Sequence, residues 1–237
     1  MRPVFTLTVR QLTGRWRLVI MTVLAILPVV FTALVVGSAD APFVTEFETI
    51  VLSTMLAGSI APLIIVSISA PAFANEVEDR TLANLTLTPV PRWQIVGAKL
   101  GAAAAVAAPF VVGSAFFTSY LAFNHDPTAT LAVTVSTAVG LVMYASAFVW
   151  LGLVTKQAIA VGLVYIVLWE GFFSGYVSGI RLLSVRHYST ALMHAIDPRR
   201  FVHVSHVPPA AAIIVSITVI ATFTLLAIRR LRRMDVP

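Results

Sequence analysis

Histidines are the residues of this chain best suited to bind a metal ion, and four of the five lie between positions 187 and 206. His203 and His206 stand three residues apart, a spacing that lets two imidazoles on one helix share an ion. No H-E-x-x-H pattern surrounds them, and no carboxylate stands between them. Zinc sites need three or four protein ligands. We therefore predict no metal site in this segment, whose other histidines are His187 and His194.

Glu170 is the one acid within the otherwise uncharged stretch 157–180. Ionisable groups inside a membrane are costly and are functional by default. Glu170 comes 14 residues after Lys156, roughly 20 Å along a helix, which predicts a position near the outer side of its span. Two interpretations stay open: a pathway or gate residue that binds a cationic group, or a structural Glu-Gly helix break satisfied by Ser174 or an outer arginine.

No other pattern predicts catalysis. The chain has no cysteine, which excludes thiolate nucleophiles and thiolate metal sites. A phosphate-cradling loop needs G-x-x-x-x-G-K-[ST], and the chain has no Gly-Lys pair. Ser184 and His187 lie near Glu170 in sequence, but nothing in the pattern fixes their geometry. We therefore expect no catalytic residues and no cofactor bound by this chain.

A charged stretch at positions 76–94 has the pattern of a short helix between two spans. Its first turns hold three acids, which suit the positive end of a helix, and two leucines three residues apart give it an apolar face. Two prolines then end it. A short, charged helix with an apolar face fits docking into a groove on a partner protein. The alternative is that the same residues form only a capped reverse turn between the two spans. The residues concerned are Glu76, Glu78, Asp79, Leu82, Leu85, Pro89 and Pro91, followed by Arg92 and Lys99 at the return into the membrane.

Long apolar stretches must position these residues. The chain of 237 residues is 59% apolar and 11% charged, whereas a soluble domain carries about 25% charged residues. A helix needs about 20 apolar residues to cross a bilayer, and it must satisfy its own backbone polar groups there. We predict an all-α membrane protein, a single domain over residues 1–237, with six transmembrane helices at about 18–39, 49–75, 95–124, 127–155, 157–180 and 207–228.

The basic residues predict the orientation, because Lys and Arg collect on cytoplasmic flanks. With the N-terminus inside and six crossings, twelve of the 16 basic residues face the inside. Both termini are therefore predicted to be cytoplasmic, and the net charge of +6 reflects topology rather than nucleic-acid binding. The four basic residues outside are Arg181, Arg186, Arg199 and Arg200.

The N-terminal segment 1–17 is predicted to be an interfacial helix. Phe5, Val9, Leu12 and Trp16 are spaced four, three and four residues apart, which places them on one helical stripe. Arg10 and Arg17 project to another side, towards lipid headgroups. The alternative is a basic flank that only fixes orientation.

The outer segment 181–206 is predicted to form interfacial helices before the last span. Val185, Tyr188, Leu192 and Ile196 make an apolar stripe suited to the outer leaflet. The pair Asp197-Pro198 is typical of an N-cap followed by proline at the first helical position, and predicts a second short helix.

Two of these stretches resemble type-2 ABC exporter permeases. The order of acids, Thr81-Leu82, a leucine-containing turn, Pro89-Val90, Arg92, Ile95 and Lys99 is similar to their cytoplasmic loop. The stretch 169–175, Trp-Glu-Gly-Phe-Phe-Ser-Gly, and the stretch 179–188 are similar to the end of their fifth span and the outer segment that follows. The six-span layout also fits, so the resemblance covers essentially the whole chain.

The resemblance implies the membrane half of an ATP-driven exporter in a bacterial or archaeal cell membrane. Two copies of the chain would form the core, and two separate ATPase subunits that bind ATP and Mg would dock below. The loop helix would be the coupling helix, and the N-terminal helix a second contact. The docking residues implied are Glu76, Glu78, Asp79, Arg80, Thr81, Leu82, Leu85 and Arg92.

The alternatives are a membrane anchor or assembly protein without transport, and an interfacial enzyme built on Ser184, His187 and Glu170. An apolar lining with scattered Ser and Thr favours an amphipathic or hydrophobic cargo such as a lipid, a drug or a peptide. The sequence does not identify the cargo, and it does not decide between a homodimer and a heterodimer.

Overall fold

The computed structural model describes residues 2–36, 48–78, 91–173, 184–201 and 207–234. Within these ranges the chain is helical and contains no strand. The helices are α1 (Arg2–Leu12), α2 (Arg15–Val36), α3 (Glu48–Ile60), α4 (Ala61–Ser69), α5 (Pro71–Glu78), α6 (Arg92–Ala122), α7 (Pro127–Val154), α8 (Ala158–Val164), α9 (Tyr165–Phe173), α10 (Val185–Ile196) and α11 (Pro209–Arg233). Helices α3 and α9 have the wider π-type winding.

Five helical stretches are long and apolar enough to cross a membrane. They are α2, the continuous run Ile50–Glu78 through α3 to α5, α6, α7 and α11. All-helical architecture with several spans is thus confirmed. The stretch predicted as the span 157–180 contains the shorter apolar helix Ala158–Phe172, and residues 174–183 lie outside the described ranges. The count of six therefore stays a prediction.

Helix α7 is the centre of the bundle, because α4, α5, α6, α10 and α11 all pack against it. Small residues let the neighbours approach closely, as expected for helices packed in lipid. A Cβ on Gly152 would lie 2.3 Å from the carbonyl oxygen of Ala70, at the break between α4 and α5. Pro71 begins α5 there and lacks the N–H that would continue the α4 ladder.

Helix α2 is peripheral, and most of its apolar side chains are exposed. Pro28 interrupts its hydrogen bonds from within. The hydroxyl of Ser114 on α6 donates to the carbonyl of Ala25, 2.6 Å away, one turn before the proline. A side-chain hydroxyl thereby supports the backbone beside a proline in the bundle, where solvent is scarce.

Helix α1 packs along α6 and touches α5. Leu12 is buried and Val9 packs against the main core. Trp16 is 80% exposed and belongs to α2. The predicted stripe is therefore divided, because the chain breaks at residues 13–14 between the two helices.

Helix α10 differs from the expectation of a helix resting in the outer leaflet. Val185, Tyr188 and Leu192 of its stripe are buried, and only Ile196 is exposed. The helix packs on α7 and α11. Because its polar face is also largely covered, α10 lies within the bundle rather than on its surface.

Helix α10 packs along the first half of α7. A Cβ on Gly140 of α7 would lie 3.3 Å from the Cβ of Ser189. Farther on, Met193 shares an apolar cluster with Val133. Asp197 then accepts a hydrogen bond from the backbone N–H of Arg200 in a single turn. The predicted second helix is represented by that turn, and residues 202–206 lie outside the described ranges.

An ion pair joins the start of α7 to the turn that follows α10. Asp126 caps α7 by accepting from the N–H of Thr128 at 3.0 Å. Its other oxygen lies 3.1 Å from Nη1 of Arg200. The Arg200 guanidinium stands 4.4 Å over the Phe123 ring. One of the four arginines assigned to the outside thus has a structural partner.

Candidate functional site

The predicted docking loop is anchored at its base by a buried ion pair. Nζ of Lys99 lies 2.5 Å from Oε1 of Glu76, and their side chains are 1% and 12% exposed. The ammonium also donates to the carbonyl of Ala72 and stands 4.4 Å over the Phe73 ring. An acid, a carbonyl and an aromatic face together compensate for burial of the lysine. The pair ties α5, which leads into the loop, to α6, which leaves it.

A second link ties the far side of the loop to the last helix. Nη1 of Arg92 donates to the carbonyl of Leu231 at 2.5 Å. That carbonyl lies in the final turn of α11, where backbone acceptors lack intrahelical donors and a cation is favourable. The apolar cluster beside these contacts contains Phe73, Ile95, Val96, Val149, Leu153, Ala227 and Leu231.

The structure describes three of the predicted docking residues, of which one is exposed and two are held by contacts within the bundle. Glu78 is exposed at the end of α5, whereas Glu76 is held in the ion pair and Arg92 is half-buried against α11. The other predicted docking residues lie outside the described ranges. These are Asp79, Arg80, Thr81, Leu82 and Leu85.

The position of Lys99 differs from the one expected for a basic residue that flanks the return into the membrane. The side chain of Lys99 is fully buried within the chain. It comes seven residues after Arg92, about 10 Å along α6. A lysine that far inside an apolar helix signals an acidic partner, and Glu76 on the preceding helix was available.

Glu170 is the centre of a second buried cluster, and its side chain is fully enclosed. Oε1 accepts from the hydroxyl of Tyr144 at 2.8 Å, from the hydroxyl of Tyr165 at 3.3 Å and from the N–H of Val185 at 3.1 Å. Oε2 accepts from Ser184 at 2.5 Å. Hydrogen bonds of this kind are what a buried carboxylate needs.

Local structure explains how these groups meet. In the π-type winding of α9, residues five apart lie on nearly the same side, so Tyr165 reaches Glu170. Ser184 is the N-cap of α10, and its hydroxyl accepts from the N–H of His187 at 3.3 Å. The Glu170 carboxylate therefore also lies at the positive end of α10, where negative charge is stabilised.

Tyr144, the partner of Glu170 on α7, stands ten residues before the end of that helix at Val154, about 15 Å along it at 1.5 Å per residue. The predicted position of Glu170 near the outer side of its span stays a prediction.

Arg186 fastens the same region to α3. Its guanidinium donates to Ser53 Oγ at 2.9 and 3.1 Å and to Thr54 Oγ1 at 3.0 Å. A Cβ on Gly58 would lie 3.0 Å from this guanidinium, so glycine leaves the room that the arginine occupies. The start of α10 is thereby joined to α3, α7 and α9.

Sequence reasoning missed Tyr144 and Ser184 as partners of Glu170. The available signal was a tyrosine within an apolar span, since a buried hydroxyl usually has a hydrogen-bond partner. The suggested partner Ser174 lies outside the described ranges. His203 and His206 also lie outside them, and among the described residues no three His, Cys, Asp or Glu side chains are placed to hold a metal ion.

These features define a multi-pass helical membrane protein with two buried charged clusters. The family model described as "ABC-2 family transporter protein" matches residues 57–236, and the chain belongs to this family. The resemblance to type-2 ABC permeases is thereby confirmed. Members of the family are generally non-catalytic membrane subunits of ABC transporters, which associate with an ABC ATPase. No curated protein matches the chain.

Proposed function

We propose that this chain is the membrane-spanning permease subunit of an ATP-driven exporter. It forms the translocation pathway for an amphipathic or hydrophobic substrate. The observation that carries the proposal is the double anchoring of the loop between α5 and α6 in a chain of the ABC-2 family. A loop fixed at both ends to spanning helices moves with those helices and transmits force between them and a docked partner.

The partner in this proposal is a separate ATPase, present in two copies, which binds ATP and Mg. The coupling helix follows α5, which ends at Glu78, and presents Leu82 and Leu85 to a groove on the ATPase. Glu78, exposed at the end of α5, contributes charge to the same surface. Glu76 acts from within, because its bond to Lys99 fixes the end of α5, from which the loop continues.

Three features at one end of the bundle support an orientation with both termini in the cytoplasm. Helix α1 packs against α5 and α6, the two helices that flank the loop, and Arg92 at the beginning of α6 holds the last turn of α11. Arg229, Arg230, Arg232 and Arg233 also belong to that end of α11. With 157–180 as the remaining span, six crossings return the chain to the side where it began.

A second copy of the chain completes the pathway in this proposal. Helices α2 and α11 have little of their apolar surface buried within the chain. Such surface fits lipid or another transmembrane subunit, since both are apolar. A homodimer is the simplest assembly that would give two loops for two ATPase subunits.

The test is co-purification in detergent with the ATPase encoded nearest to this chain, followed by ATPase assays with and without the chain. A stable complex with altered ATPase activity is expected. A folded chain that neither binds the ATPase nor changes its activity would contradict the proposal. It would favour a membrane anchor or assembly protein.

A further inference from the structure

An apolar cavity of about 390 Å³ lies between α7, α8, α9 and α11. Val185, the first residue of α10, closes one side. The volume falls in the range of pockets that bind drug-sized molecules, about 300–1,000 Å³. Six aromatic side chains dominate the described lining: Tyr144, Phe148, Trp150, Tyr165, Trp169 and Phe223.

The rings are held in place by one another. Tyr144 and Phe148 stack with centroids 5.9 Å apart, and Tyr165 and Trp169 stack at 6.4 Å. Phe148 meets the edge of Tyr165 at 6.4 Å, which joins the two stacks across α7 and α9. These separations lie in the favourable range for aromatic pairs. The aromatic rings that line the cavity are therefore fixed against one another.

The electrostatics of this wall favour positive charge. Aromatic faces carry the negative part of the ring quadrupole and attract cations. The hydroxyls of Tyr144 and Tyr165 both donate to the carboxylate of Glu170, which pushes electron density onto these two rings. The described residues that line the cavity include no Lys, Arg or His. Arg186 follows Val185 outside the lining. Its guanidinium is bound to Ser53 and Thr54 on α3, and its charge also acts on Tyr144.

The cavity lies in the half of the bundle nearer the docking loop. Its contacts on α7 run from Tyr144 to Leu151, within the last eleven residues of that helix. Val149 and Leu153 of the same stretch belong to the apolar cluster beside the loop base. A molecule entering from the loop side would meet the aromatic wall first and Glu170 behind it.

We propose that this cavity binds a lipophilic organic cation, a molecule with aromatic or aliphatic bulk around one positive charge. The inference rests on the proposed export function in treating the cavity as the loading site for cargo. It narrows the substrate class from amphipathic molecules in general to cationic ones.

The experiment measures equilibrium binding of radiolabelled tetraphenylphosphonium to the full-length chain in detergent, without ATPase. Tetraphenylborate, which has nearly the same size and shape and the opposite charge, is measured separately. Saturable binding of the phosphonium and none of the borate is expected. Equal binding of both ions, or saturable binding of neither, would overturn the proposal and leave an apolar groove suited to lipid chains.

Three variants test the aromatic wall. Phe148→Leu and Phe223→Leu keep apolar bulk and remove a ring face, whereas Phe117→Leu makes the same change at an exposed position of α6. Each cavity variant is expected to weaken phosphonium binding about 3- to 10-fold, and Phe117→Leu to leave it unchanged. Phe223 is only half-buried, so Phe223→Leu can be used for the binding test if Phe148→Leu does not fold. Equal affinity in a folded cavity variant and in Phe117→Leu would refute cation recognition by the rings. Because the assay contains no ATPase, its result is independent of whether the ATPase complex forms.

Discussion

Lys99 and Glu76 are 23 positions apart in sequence, yet Nζ and Oε1 lie 2.5 Å apart inside the bundle. The pair closes the loop that separates α5 from α6, and the Phe73 ring covers the ammonium. The desolvation of a charge buried this completely costs more free energy than its remaining contacts recover, unless the oppositely charged partner is present. The loop base therefore depends on both residues together.

Lys99→Met is expected to destabilise the chain by about 3–5 kcal/mol, because Glu76 is then left buried without its cation. The double variant Lys99→Met/Glu76→Leu should recover much of that loss, since both charges are absent. The measurement is thermal or denaturant unfolding in detergent. Lys156→Met is the matched control, because Lys156 is exposed in the turn between α7 and α8. If Lys99→Met destabilised the chain no more than Lys156→Met, the buried ion pair would not stabilise the loop base.

Gly152→Ala tests the close approach of α7 to the break at Ala70. The added Cβ would lie 2.3 Å from a backbone oxygen, so one of the helices must shift, at a cost of about 1–3 kcal/mol. Gly113→Ala makes the same change within α6, where nothing lies within 4 Å of the new Cβ. That control should gain up to about 1 kcal/mol from helix propensity. If the two variants unfolded at the same midpoint, the close packing at Gly152 would be contradicted.

Much of the fold could be predicted from the sequence, because a bilayer allows only a few solutions. Uncharged stretches of about 20 residues must be helices there, and those predicted at 18–39, 95–124, 127–155 and 207–228 correspond to α2, α6, α7 and α11. The break at Pro71 has a local signal, because a proline lacks the N–H that continues a helix. The π-type winding of α9 has no such signal in the sequence.

The candidate site was harder to predict, because its partners are distant in sequence. The acids of the loop were identified, but Glu76 turns inward to Lys99 and only Glu78 of the described acids is exposed. Glu170 was singled out by its charge alone. Its partner Tyr144 lies 26 positions earlier, and only the folding of α9 and α10 against α7 brings these hydroxyls together.

Tyr144→Phe should cost about 1.5–3 kcal/mol, the range for hydrogen bonds to a charged group. Ser184→Ala should cost a similar amount, because it removes both a donor to Glu170 and the N-cap of α10. In a Glu170→Gln background the effect of Tyr144→Phe should be smaller, since the acceptor is neutral. Unfolding of the four chains of this double-mutant cycle gives the coupling energy directly.

Tyr120→Phe is the control for that cycle. Tyr120 is partly exposed on α6, where its ring stacks with Phe116, so loss of its hydroxyl should change stability by less than about 0.5 kcal/mol. A coupling energy near zero between Tyr144 and Glu170 would mean that the cluster does not hold α9 and α10 in place.

The double variant Leu82→Asp/Leu85→Asp tests the docking surface. An aspartate in an apolar groove has no partner and would be desolvated at a cost, so binding of the ATPase should weaken at least tenfold. Uncoupling of ATP hydrolysis from transport is expected in vesicles that contain both subunits. The conservative change Leu82→Ile/Leu85→Ile should preserve both properties, because the apolar face remains.

The unfolding temperature of the double aspartate variant distinguishes a lost contact with the ATPase from a folding defect. The two leucines lie between α5 and α6, whose junction is held by the ion pair and by Arg92 on either side. The spans should therefore unfold at the same temperature in the aspartate variant as in the unmodified chain. Loss of coupling together with unchanged unfolding would place the defect at the contact with the ATPase. Full coupling in a stable aspartate variant would exclude this loop as the docking element and direct the search to α1, which packs on α5 and α6.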